Sequence, residues 1–183
     1  LKGIYELTEI KDAGYTIDDF QASSLSIQDM HGAGFTVSQM KADGYTAGQL
    51  KGIYELTEIK AGGFTIDDFQ ASSLTIRNMR DAGFTATEMK ADDIGYTVAD
   101  LYNSTLYTLP EIRDGGNGYT IPDFLAVNFT LQQMYQADFT FVEFAAEGYT
   151  LQDLDKDQFP PTEMKEAGWP PHQLYPIYEL TDL

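Results

Sequence analysis

A ten-residue period is the feature that most constrains this chain, because ten residues are too few to enclose a core of their own and must bury their apolar side chains against other copies. The clearest copy is Gly34-Phe35-Thr36-Val37-Ser38-Gln39-Met40-Lys41-Ala42-Asp43. Copies begin at residues 4, 14, 24, 34, 44, 53, 63, 73, 83, 95, 106, 118, 128, 138, 148, 158, 168 and 177. Positions within a copy are numbered 1 to 10 from Gly34.

Position 3 is Thr or Ser in thirteen of the eighteen copies, and position 6 is an acid or its amide in all of them. That spacing is a capping box: the hydroxyl accepts a hydrogen bond from an N–H of the first helical turn, and the position 6 side chain accepts one from the cap's own N–H. Position 2 is aromatic in sixteen copies and position 7 is always Ile, Leu, Met or Phe, a pair spaced as a hydrophobic staple, so Phe35 is expected against Met40. Position 8 holds nine of the eleven basic residues, where a cation offsets the negative end of a helix dipole. Ala-Gly at the end, as in Ala33-Gly34 and Ala82-Gly83, supplies a left-handed stop that folds the next aromatic back on the previous position 7.

These rules agree on a helix of about six or seven residues followed by a Gly-aromatic-Thr corner, too short to be stable alone in water. The expected fold is therefore all-α, a tightly wound solenoid with positions 2, 4 and 7 inward and positions 5, 6, 8 and 9 outward. A β-solenoid is the alternative, since Tyr-Thr-Ile and Phe-Thr-Val triplets are good strand formers. Capping acids, terminal cations and Ala-Gly stops have no use in a strand. The chain reads as one repeat domain over 1–183, with a regular half at 1–105 and a divergent half at 106–183 that carries all seven prolines. Pro110, Pro122, Pro161 and Pro171 fall in first turns, where a missing N–H is harmless. Pro160 and Pro170 replace the cap itself.

Composition excludes more than it assigns. The net charge of −18 disfavours nucleic acid and anionic membranes as partners, and thirteen of the twenty-nine acids stand at the capping position. No cysteine is present, so neither disulfides nor thiol chemistry operate. No apolar run of membrane-spanning length occurs, so membrane insertion is not expected. His31 and His172 belong to no catalytic or metal-spaced cluster, and Asp153, Asp155, Asp157 and Glu163 approach a calcium loop but put Gln158 where that loop needs Gly. The expectation is a non-enzymatic protein without cofactor or metal.

The leading reading is a structural linker, scaffold or filament subunit within a larger assembly; a protein-binding adaptor with an acidic face is the alternative, and an extracellular adhesion or glycan-bearing surface protein the next. The array enters at position 7 with Leu1 and leaves at position 7 with Leu183, so its ends are expected to stack on further repeat or a partner. Tyr102, Leu125, Tyr135, Phe141 and Tyr175 are candidate interaction residues because apolar side chains spill outward in the later copies, and Trp169 and Leu183 because they belong to the end of the array. Asn103-Ser104-Thr105 and Asn128-Phe129-Thr130 are glycosylation acceptor patterns near corners, and Asn128 replaces Gly where a left-handed residue is needed. Nothing in the sequence fixes the compartment: both the extracellular space and a large assembly suit it.

Overall fold

The structure is a computed structural model that describes residues 3–91, 95–114, 118–150, 153, 159, 161–166 and 168–174. It is helical, and no strand occurs among the described residues; a single bridge between Lys51 and Tyr54 is the extent of β pairing there. The β-solenoid alternative is thereby set aside. Contacts divide the chain into two compact units, Leu1–Gly95 and Tyr96–Leu183. The division falls at the corner where the sequence carries the additional residues Asp93 and Ile94.

In the first unit the described helices are α1 (Leu7–Asp12), α2 (Ile17–Ala22), α3 (Ile27–Gly32), α4 (Val37–Ala42), α5 (Ala47–Leu50), α6 (Leu56–Ala61), α7 (Ile66–Ala71), α8 (Ile76–Asp81) and α9 (Ala86–Ala91). In the second they are α10 (Val98–Asn103), α11 (Leu109–Arg113), α12 (Ile121–Leu125), α13 (Leu131–Gln136), α14 (Phe141–Ala146), α15 (Pro161–Glu166) and α16 (Pro171–Leu174).

Each helix starts where its cap dictates. In α4 the Thr36 hydroxyl accepts from the Gln39 N–H at 3.3 Å, and the Gln39 side chain accepts from the Thr36 N–H at 2.9 Å. The same reciprocal pair recurs at Thr16–Asp19, Thr65–Asp68, Thr97–Asp100 and Thr140–Glu143. Most of the described helices, α5 among the exceptions, stop at a Schellman turn. The Gly34 N–H donates to the His31 carbonyl at 2.8 Å and the Phe35 N–H to the Met30 carbonyl at 3.0 Å, with Gly34 left-handed at φ 80°. Where Gly is absent the conformation persists: Ser24, Ser73, Asn128 and Asp138 have φ between 57° and 65°.

One residue is lost before Ile53, and α5 shortens to four residues: Lys51 ends the helix, and both Ile53 and Tyr54 donate to the Leu50 carbonyl. Pro110 and Pro122 lie in the first turns of α11 and α12, and Pro161 and Pro171 open α15 and α16. Pro170 precedes α16 in irregular chain, and Pro160 lies outside the described residues.

The core is built from position 7. Met30, Met40, Met79, Met89, Met134 and Met164 are all at most 1% exposed, as are Phe20, Phe69, Phe124 and Phe144. Position 4 closes one side with residues such as Ile17, Val37, Ile66, Val98 and Ile121, all buried. Among the described residues no polar or charged residue is buried, as expected where the inward positions 2, 4 and 7 are apolar and most outward ones polar. In the first unit α1 packs on α3, α4 on α6, α5 on α7 and α6 on α8, and in the second α10 packs on α11 and α11 on α13. Neighbours in space are therefore mostly helices two apart in the chain.

Candidate functional site

The repeated feature with the most chemistry is the setting of the position 2 ring. Phe35 stands edge-on to Phe20, 15 residues earlier at position 7, with ring centroids 5.0 Å apart, and carries the Lys11 Nζ over its face at 5.0 Å. Phe84 repeats this with Phe69 at 5.1 Å and the Lys60 Nζ at 4.5 Å. In the second unit Phe139 does so with Phe124 at 5.2 Å and the Arg113 guanidinium at 4.9 Å. Each ring is thus held between position 7 of the copy two before it and position 8 of the copy three before it.

The cation does more than cover a ring. Lys41 lies 4.8 Å from the Phe64 centroid, donates to the Gly63 carbonyl at 2.5 Å and pairs with Asp68 at 2.8 Å. Lys60 donates to the Gly83 carbonyl at 2.8 Å and pairs with Glu88 at 2.9 Å. Arg113 pairs with Glu143 at 2.7 Å, and Lys11 donates to the Gly34 carbonyl. Lys41 and Lys60 each therefore engage a corner carbonyl, an aromatic face and a capping carboxylate, all three copies further on. The corner carbonyl is an orphan acceptor outside the helix, so the ammonium satisfies a group the helix leaves open.

Charge is not obligatory at this joint. His31 stands edge-on to Tyr54 at 4.6 Å, Tyr102 to Phe129 at 5.1 Å and Tyr135 to Phe159 at 5.3 Å. Each is position 8 against the position 2 ring three copies later. Gln21 donates to the Tyr45 hydroxyl at 2.5 Å in the same relation, while Lys51 donates at 3.2 Å to Asn78, the position 6 side chain of a copy that has Leu74 at position 2. Tyr102 and Tyr135, which replace cations in the later copies, are thus joint residues.

Position 8 cations stand in the last turn of their own helices, as expected, and Lys11, Lys41, Lys60 and Arg113 in addition reach a copy three further on. The sequence reading is revised in two places. Tyr102 and Tyr135, chosen as interaction residues, are engaged within their own unit, although Tyr102 remains 41% exposed. Phe141 is buried at 4% exposure: it occupies position 4, an inward position, tilted against Tyr135 and edge-on to Phe159. Leu125 is exposed at 41% and Trp169 is half-buried. Tyr175 and Leu183 lie outside the described residues, as do Asp155 and Asp157. Asn103, the last residue of α10, and the left-handed Asn128 are both exposed. The sequence reading missed the exposed Ile4, Tyr5, Tyr15 and Val142.

The electrostatics follow the joint. Burial pushes the Asp68 carboxyl up, but the Lys41 hydrogen bond, the Thr65 N–H and the Lys41 charge outweigh it and hold the group below the usual carboxylate range. Glu88 is held low against the same burial by Thr85 and Lys60, and Glu143 by Thr140 and Arg113. Burial raises the Tyr119 hydroxyl well above an ordinary phenol, with the Asp123 and Asp100 charges adding to it. That hydroxyl donates to the Tyr96 carbonyl, as the Tyr54 hydroxyl does to the Phe35 carbonyl at 2.6 Å.

The surface grooves repeat with the decad. One of about 480 Å³ is lined by Lys60, Phe64, Ile66, Phe84 and Glu88, and another of about 390 Å³ by His31, Phe35, Val37, Tyr54 and Glu58. Equivalent positions line both, so these grooves are the gaps between stacked corners. Among the described residues no group of three or more His, Asp or Glu converges as a metal site, and no helix is long and apolar enough to cross a membrane. Comparison of the chain with protein-family models, with curated proteins and with solved structures gave no match.

Proposed function

We propose that this protein is a non-enzymatic structural repeat protein, a solenoid that serves as a linker, scaffold or filament subunit in a larger assembly. The observation that carries the reading is the joint: Phe35, Phe84 and Phe139 each sit between partners two and three copies earlier, in both units. A relation that repeats along the chain at a constant copy offset is what a continuous coil of about three decads per turn would produce. Such a coil is built by addition and can be lengthened without redesign. The titratable groups with displaced pKa values support the same reading, because Asp68, Glu88 and Glu143 are engaged in caps and joints.

Electron microscopy of the purified chain across a concentration series tests the reading. Rods that lengthen with concentration, or attachment to a larger body, are expected. Particles that remain single and compact at every concentration would oppose it.

An acidic adaptor is the second reading, favoured by the net charge of −18. It predicts that a basic partner is lost steeply as salt rises, whereas assembly through apolar rings is retained. The exposed Asn103 and Asn128 keep a glycan-bearing surface protein as a further reading, and it requires an intact mass greater than that of the bare polypeptide after eukaryotic secretion.

A further inference from the structure

One joint inside the first unit lacks its cation. From the copy at 34 to the copy at 83 the position 6 acids are Glu58, Asp68 and Glu88. Asp68 holds Lys41 at 2.8 Å and Glu88 holds Lys60 at 2.9 Å. The residue three copies before Glu58 at position 8 is His31, whose ring stands edge-on to Tyr54 at 4.6 Å. Among the described residues the Glu58 carboxylate accepts one hydrogen bond, from the Glu55 N–H at 3.0 Å, and makes no ion pair. The corner carbonyl is open as well. Lysines donate to the Gly34, Gly63 and Gly83 carbonyls, but among the described residues no side chain donates to that of Ile53. The Glu58 charge acts on the ring instead, adding to burial in raising the Tyr54 hydroxyl above an ordinary phenol.

His31, Tyr54 and Glu58 line the groove of about 390 Å³ together with Phe35, Val37 and Ala61. His31, Glu58 and Ala61 are exposed, while Phe35, Val37 and Tyr54 are buried. The groove thus sets apolar surface beside a carboxylate that no cation neutralises.

We propose that this groove docks a basic segment of a partner protein, whose lysine ammonium binds the Glu58 carboxylate and the Ile53 carbonyl while apolar side chains beside that lysine lie against Val37 and Ala61. The proposal goes beyond the scaffold reading and rests on the acidic adaptor reading, to which it gives a site. The occupant is argued from the chain's own joints: Lys41 and Lys60 each bind the equivalent carbonyl and carboxylate at once. Charge agrees, because a chain of net charge −18 draws cationic partners towards it.

The test is an NMR titration of the 183-residue chain with the peptide acetyl-Leu-Lys-Leu-amide. It is run at about pH 7.5, since a protonated imidazole would itself supply a cation. The peptide should shift the amide resonances of His31 and of Ile53 to Glu58. Replacing its Lys by Gln should weaken binding about fivefold, and so should Glu58→Gln, since each removes one ion pair. His31→Lys should fill the joint from within, abolishing the shifts and raising the melting temperature by about 2 °C. Asp67→Asn, at an exposed acid of the neighbouring groove, should leave the affinity unchanged. Circular dichroism checks that each variant keeps its helicity. A peptide that shifts none of these resonances, or that binds the Glu58→Gln and His31→Lys variants as tightly as the native chain, overturns the site. If a lysine-rich peptide still binds the native and Glu58→Gln chains alike at low salt, the site falls and the adaptor reading stands; if it binds neither, both fall.

Discussion

At the scale of the residue, the decad assigns more than one task to the same side chain. Phe35 donates its backbone N–H to Met30, packs its ring edge on Phe20 and receives Lys11 on its face. Thr36 has one local task, the cap shared with Gln39. Phe35→Ala should therefore cost about 3 to 5 kcal/mol and Thr36→Ala about 1 kcal/mol, measured by urea unfolding; equal losses would contradict the ring's place at the joint. Lys60 and Glu88 are 27% and 43% exposed in their side chains, so their pairing is screened. A double-mutant cycle on them should give a coupling of about 0.5 to 1 kcal/mol, smaller at high salt. Asp68, Glu88 and Glu143 have folded pKa values below their unfolded ones. Their contribution is complete above the ordinary carboxylate range near pH 4 and is lost as the pH falls through the lower folded values. The melting temperature should accordingly fall between about pH 5 and pH 2, and replacing the three acids by their amides should flatten that fall.

At the scale of the element, the helices were legible because their determinants are local. A cap and its partner lie three residues apart, as at Thr65 and Asp68, and the Schellman turn spans five, as from Met79 to Phe84. Helix starts, helix stops and the inward row at position 7 could be read from the sequence for that reason. The joint was not, because Lys41 and Asp68 are 27 residues apart and Arg113 and Glu143 are 30. Whether such pairs meet depends on how many copies make a turn, which no single copy encodes. A signal was nevertheless present: cations at Lys41, Lys60 and Arg113 each precede a position 6 acid three copies later. Phe141 was misread for a simpler reason, since its register already placed it at the inward position 4. Gly62 ends α6 at the position where Ala13, Ala33 and Ala82 end theirs. A Cβ there would lie 2.3 Å from the Val37 Cγ1. Gly62→Ala should thus destabilise by about 1 to 3 kcal/mol through overpacking, although Ala is the better helix former; a gain in stability would place Val37 elsewhere.

At the scale of the whole molecule, copies of a helix too short to stand alone become stable by stacking at fixed offsets of two and three. The register of that stacking can be measured directly, because the chain has no cysteine. A Cβ built at Gly48 lies 3.1 Å from the Cβ of Ser72, two copies on, slightly closer than a disulfide needs. The measurement is disulfide formation in the Gly48→Cys, Ser72→Cys variant under mild oxidation, followed by mass spectrometry and thermal unfolding. Rapid and complete intramolecular cross-linking is expected, with unchanged helicity and a gain of about 3 kcal/mol from closing the intervening loop. Two free thiols, or cross-links that form only between molecules, would contradict the register on which every joint depends.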